Sequence, residues 1–464
     1  YALSAVENLK FSTRVIAVNC SDMEEVMKLL HHKNSIGIAA IAAVLLLAGG
    51  LYYAKTRPVV LEFGMFTGSN WNVANANSFV IIDKAIVRFE EEHPGVTVHY
   101  YSGVPREEYS EWLSRKILAG EEPDVFMVLG SDFDQFSSIG IMKNLDELIE
   151  QDAAFDAEKY FQSALSTGKY GNAQYALPYE TVPTLMFVNQ TLLTKEGIAI
   201  PDTDWNWEEM YNICRQVTKD LDGDGILDQF GICNYDWLDA VYSNGGEIFQ
   251  GNGKTCYLAE DSVIESVKYI RQLNEMYQGQ KVSQDDFSSG NVAFMPLTFA
   301  EYRTYKTYPY KIKRYDNFKW DCTTMPAGKA GGNVSQVDTL LMGIGANTRK
   351  EELAWEFLKL LTYDEEIQTQ IFSHSQGASV LRAVTQSEEM EEIVQAEMEE
   401  GETVISGKLL GQVIEEGYTA PQFKKYEQAL ALSDSEIGEI LLNDKTIDSN
   451  MKILQRTINS YLQQ

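Results

Sequence analysis

From residue 59 onward, the apolar positions alternate between short continuous runs and helical spacing. Residues 59–66 read as a strand. In 78–92, Phe79, Ile82, Ile86 and Phe89 recur three and four apart, which predicts an amphipathic helix stopped by His93-Pro94-Gly95. A second strand follows at 96–101 and a second helix at 107–119, ended by Gly120. The run DVFMVL at 124–129 is apolar enough for a strand buried on both faces. This β-α-β-α-β order predicts a doubly wound sheet, which places ligands beyond the carboxyl ends of its strands. The loops 67–77, 102–106 and 130–137 are therefore where a site is expected.

After residue 182 the pattern starts again, with a helix at 206–219, the turn DLDGDG, a helix at 261–278 and an aromatic-rich stretch at 299–320. A Pro/Gly connector at 326–333 (PAGKAGGN) precedes the strand-like TLLMGIG and a helix at 350–363. The acidic tail from 387 is helical, and its most charged run, EEMEEIVQAEMEEGE, reads as a solvated helix face.

Residues 36–54 break the pattern with nineteen consecutive uncharged residues. At ~1.5 Å per residue they reach ~29 Å, the thickness of a bilayer's hydrocarbon core. Tyr52 and Tyr53 sit at one end, where such rings prefer the membrane interface. We expect one transmembrane signal anchor here, with residues 1–35 cytoplasmic and everything large on the outer side. Lys28 and Lys33 balance Lys55 and Arg57, so flanking charge does not set the orientation. Cleavage would fall at the small Ala48-Gly49-Gly50, and Gly50 stands where a lipidated Cys would be.

The chain of 464 residues has 38 basic and 68 acidic side chains, a net charge of −30. That excludes nucleic acid as a partner, because binding it depends on neutralising phosphates. The four cysteines beyond the apolar stretch, Cys214, Cys233, Cys256 and Cys322, form no CxxC pair and leave disulfides and buried thiols equally open. GNGKT at 251–255 ends like a phosphate loop, but Ile248 stands where that loop needs Gly.

Several ordered blocks resemble the extracellular solute-binding proteins of bacterial ABC importers, the large two-lobed sugar-binding group that includes maltose-binding proteins. They include IIDKAIVRFEEEHPGVTV, EEPDVFMVLGSDF, YALPYETVPTLMFVNQTLLTKEGI, SGNVAFMPLTFAEY and TTMPAGKAGGNVSQVDTLLMGIGANTRKEELAWEFLKLL. The resemblance implies an α/β, two-lobed periplasmic-binding-protein-like fold with discontinuous lobes and an inter-lobe cleft, here preceded by one transmembrane helix. It places lobe 1 at 59–181 plus 328–372 and lobe 2 at 182–327 plus 373–464. It implies a carbohydrate, a mono- or oligosaccharide, as ligand, ABC permease subunits as partners, and a location on the outside of a bacterial cell membrane.

A sugar offers apolar C–H faces and a ring of hydroxyls, so its site needs aromatic platforms and side chains that donate and accept. Candidates for ligand contact are Asn70, Trp71, Asp132, Phe133, Tyr179, Glu180, Trp237, Tyr302 and Asp338. Trp112 and Trp355 fall on apolar helix faces and are assigned to the core. Trp71 lies in a loop among Ser69, Asn70 and Asn72, a poor core setting, and is assigned to the ligand. DLDGDGILD places Asp220, Asp222, Asp224 and Asp228 at positions 1, 3, 5 and 9 of a calcium loop, with Gly225 at position 6 and the Ile226 carbonyl at position 7. Position 12 is Gly231, so the usual bidentate Glu is missing, and a structural calcium ion is expected. Catalysis is not predicted. Asp132 and Asp134 would offer the carboxylates of glycoside hydrolysis, yet two positions in one loop say nothing of their separation across a substrate. A surface sensor or assembly protein would use the same cleft without transport.

Overall fold

The computed structural model describes residues 58–71, 73, 77–101, 103–306, 318–397, 404–443 and 445–464. The expected anchor at 36–54 and the segment 1–35 lie outside the described residues. Among the described residues, no helix is long and apolar enough to cross a membrane. Residues 60–93 and 98–464 form one compact unit. In the other unit, the described residues include the turn at Gly95, whose φ of 94° suits glycine and whose carbonyl accepts from Val59 N at 2.8 Å.

The strands in chain order are β1 (Val59–Gly64), β2 (Val96–Tyr101), β3 (Val125–Val128), β4 (Lys169–Tyr170), β5 (Ala173–Gln174) and β6 (Ala176–Asn189). They continue with β7 (Phe230–Ile232), β8 (Val292–Thr298), β9 (Trp320–Thr323), β10 (Val337–Ile344) and β11 (Ala378–Ser379). β4 and β5 pair as a separate hairpin, and the main sheet runs β2-β1-β3-β10-β6-β8-β7, with β9 and β11 also on β6.

β6 is the spine. Its first part, up to Pro183, pairs with β10, and from Thr184 it pairs with β8, so one strand carries two half-sheets. β11 flanks the first part and β9 the second. All of β6 except Thr184 is buried, which accounts for the unbroken apolar run LMFV. β1 and β3 are parallel, as the alternating pattern predicts, whereas β10 runs antiparallel to both β3 and β6.

The first half-sheet is covered by the helices Phe79–Glu92 and Glu351–Thr362; Phe357 meets Phe63 of β1 at a ring-centroid distance of 5.5 Å and Phe89 of the other helix at 5.1 Å. Around the second, the helices Tyr426–Leu442 and Ile447–Leu462 pack on the helix Asp261–Glu275. Cys214, Cys233 and Cys256 are buried free thiols, and Cys322 is buried as well.

One expectation is corrected. The loop 130–137 is a helix, Gly130–Ser138, because Phe133 and Phe136, three apart, both find the core. The ligand candidate Trp237 opens the helix Trp237–Ser243, started by a capping box in which Asp236 accepts from the backbone of Leu238 and Asp239.

Candidate functional site

A cleft of about 720 Å³ opens where β6 and β10 pass between the half-sheets. Its floor is Val182, Thr298 and the β10 segment around Asp338. One wall carries Asn70 and Trp71 from the loop after β1, Arg106 and Ser110 from the helix Arg106–Ala119, and the N-terminus of the helix Gly130–Ser138. The facing wall is the C-terminal segment around Thr419, Gln422, Tyr426 and Glu427.

Four buried polar atoms at this cleft have no hydrogen-bond partner among the described residues: Trp71 Nε1, Arg106 Nε, Asp132 Oδ2 and Gln422 Oε1. Two donate and two accept. Leaving such atoms unmade costs about 1–3 kcal/mol each, so their convergence is unfavourable unless something else pairs with them. Asp132 lies behind the rim. Its Oδ1 accepts from Ser110 Oγ at 2.7 Å, and burial, reinforced by the charge of Glu427, pushes its carboxyl above the ordinary range. Asp338 touches solvent inside the cleft, yet the crowding walls also push its carboxyl up, against the opposing effects of a 2.9 Å bond from Gln336 Nε2 and the Arg106 charge.

The structure brings Asn70, Trp71 and Asp338 to one cleft, with Asp132 beside it. Glu180 is fully buried and reaches the cleft only through Asn70, whose Nδ2 donates to it at 2.6 Å. The other four lie in packing. Phe133 is in the core. Tyr179 is fully buried, with burial raising its hydroxyl's pKa. Trp237 donates from its indole to Asp434 Oδ1 at 2.9 Å, and Tyr302 accepts from Ile405 N at 3.1 Å. Arg106 closes the predicted loop 102–106 without having been singled out. Gln422, Tyr426 and Glu427 had only a weak signal, the Pro421 break between two helices of the acidic tail.

In the turn 220–228, the carboxylate oxygens of Asp220, Asp222 and Asp224 lie within 4.8 Å of one another, a spacing that fits one hard cation. Asp220 also accepts from Gly225 N and Gly223 N, which lowers its pKa. Asp228 is not in this group. Its carboxylate turns to Leu221 N at 2.7 Å.

Two half-sheets on a shared spine with a polar cleft between them define a two-lobed binding protein. Residues 74–367 match the family of bacterial extracellular solute-binding proteins, and the chain belongs to that family. Solved structures share the fold at low identity. An ABC substrate-binding protein from Listeria monocytogenes, in complex with cycloalternan, is 17% identical over 87% of this chain and 99% of its own, with a TM-score of 0.62. The GacH receptor of Streptomyces glaucescens, solved unliganded and with acarbose, is 19% identical over 87% and 98%, with a TM-score of 0.62. The sugar-binding protein MalE from Xanthomonas citri is 12% identical over 87% and 97%, with a TM-score of 0.71.

Proposed function

We propose that the chain captures a mono- or oligosaccharide in this cleft and delivers it to the permease subunits of an ABC importer. The observation that carries this reading is the meeting of Trp71 Nε1, Arg106 Nε and Gln422 Oε1 at one cavity, with Asp132 Oδ2 behind its rim. A polyhydroxylated ring both donates and accepts, so it pairs with all four kinds of atom, and its C–H face suits the Trp71 ring. In this reading Asp132 and Asp338 accept from hydroxyls, while Arg106 donates. Structures of the same fold with cycloalternan and acarbose support a saccharide over other polar solutes. The two lobes are 59–181 plus 328–372 and 182–327 plus the C-terminal helices from Tyr426, with β11 within 373–464 on the first lobe's half of β6. Residues 36–54 tether them to the outer face of a bacterial cell membrane, and calcium at Asp220, Asp222 and Asp224 stabilises the second lobe.

The test is a thermal-shift screen of the full chain against neutral mono- and oligosaccharides. A ligand that binds only the native state raises the melting temperature by mass action, and about 2.7 kcal/mol is gained at a hundredfold excess over Kd. A broad panel without any shift refutes the carbohydrate reading.

A further inference from the structure

Glu180 lies at the centre of a contact that ligand binding alone does not explain. It sits on β6, three residues before the strand changes from β10 to β8, and is fully buried. Its Oε2 accepts from Asn70 Nδ2 at 2.6 Å. Its Oε1 accepts from Ser375 Oγ at 2.5 Å and from Gly377 N at 2.7 Å. Three segments far apart in sequence therefore meet on one carboxylate: the loop that carries Trp71, the shared spine, and the turn after the helix Glu365–His374. None of the three donors is cationic. A methyl group on residue 377 would run into the carboxylate, so glycine there is what lets the turn come close enough to donate.

We infer that Glu180 is a positioning residue: it holds the Asn70–Trp71 loop in its ligand-receiving place by taking the Asn70 amide, and it makes no contact with ligand itself. The chemistry supports this assignment. Both oxygens are already engaged by donors, and the side chain has no exposed surface to offer a sugar. The bond also fixes the Asn70 amide, Nδ2 toward Glu180 and Oδ1 away from it, one residue before the Trp71 ring. Buried charge-assisted hydrogen bonds of this kind are short, strong and costly to break, so the loop does not drift from the spine without leaving a buried carboxylate short of a donor. The inference rests on the cleft reading above for its functional meaning, but its geometry can be tested without any ligand.

The experiment reverses the pair. Asn70→Asp sets two carboxylates against each other with no cation between them. Adding Glu180→Gln restores a donor and an acceptor in the opposite sense, and the new amide oxygen still accepts from Ser375 and Gly377. Two readouts are taken on the full chain. The first is acrylamide quenching of Trp71 in the unliganded protein, isolated by difference from Trp71→Phe. The second is the Kd of the saccharide found in the screen. Asn70→Asp is expected to raise the quenching and weaken binding about tenfold or more, and the double variant to recover both to within about threefold. Glu180→Gln alone should give a smaller loss. Unchanged quenching in Asn70→Asp, or a double variant no better than the single, overturns the assignment. Should Asn70→Asp not fold, Asn70→Ala removes the donor without adding charge, and unchanged quenching there is equally decisive against it. A wild-type chain that binds no saccharide sinks the functional reading, while the quenching comparison still decides this one.

Discussion

Truncating Trp71 to Ala separates a cleft ring from a core ring. Trp71 is half-buried at the cleft wall, and its indole Nε1 is enclosed without a partner among the described residues. Losing a buried aromatic anchor from a binding site costs about 2 kcal/mol. The indole N–H, paired for the first time when ligand arrives, adds about 1 kcal/mol net. At ~1.4 kcal/mol per decade these sum to a Kd between about thirtyfold and about 150-fold weaker. Trp71→Phe keeps most of the stacking face and loses only the N–H, so it should weaken binding about fivefold. Stability of the unliganded protein should change little in either variant, since removing an unsatisfied buried donor offsets the lost contacts. Isothermal titration gives the Kd values and differential scanning calorimetry the melting temperatures. If Trp71→Ala binds normally and melts several degrees lower, the ring packs inside the protein and the site is misassigned.

Three further outcomes are expected. Trp237→Phe should cost about 1.5 kcal/mol of stability, the worth of its charged hydrogen bond to Asp434, and leave saccharide affinity unchanged; a loss of affinity at constant stability would return Trp237 to the site. Affinity should fall on acidification, because protonation removes Asp132 and Asp338 as acceptors. Burial raises both pKa values, so the fall begins above the ordinary Asp value of about 3.9. In the same window the unliganded fold changes in the other direction: its raised carboxyls hold protons more tightly than the unfolded chain does, so their contribution to stability grows as pH drops. Titrations that show equal Kd at pH 7 and at the ordinary Asp value of about 3.9 would refute the acceptor roles. Calcium should raise the melting temperature through Asp220, Asp222 and Asp224, and Asp222→Asn should weaken that effect; a melting temperature indifferent to chelator and to added calcium would make the segment a plain turn.

The elements of the first half-sheet were legible because each carries its own period. The helix expected at 78–92 is Phe79–Glu92, and the strand expected at 96–101 is Val96–Tyr101. Of the candidate cleft, strand-end logic reached the loop with Asn70 and Trp71 and the segment ending at Arg106, and Asp338 was picked out after the Gly-rich connector. The same logic misread GSDFDQFS as a loop, since its polar residues mask a Phe133–Phe136 helical pair. Aromatics near Asp or Glu look alike in sequence whether they stack on a ligand or on each other. Only tertiary packing separates Trp71 from Trp237, whose indole is spent on Asp434, some two hundred residues away in the chain. Gln422 and Glu427 were hidden for a related reason: nothing local in an acidic helical tail tells that its connector turns into the cleft.

A strand that belongs to two sheets also bears on how the molecule comes apart. β6 is bonded to β10 over 176–183 and to β8 over 184–188, and its second edge is taken by β11 at Glu180 and Thr181 and by β9 over 186–189. Neither half can melt without stripping partners from a strand on which the other half also depends. Separate domains on a flexible linker melt one at a time. Here the shared spine ties the two cores into one cooperative unit, so partial unfolding is confined to the rims and a protease finds no intact half to release.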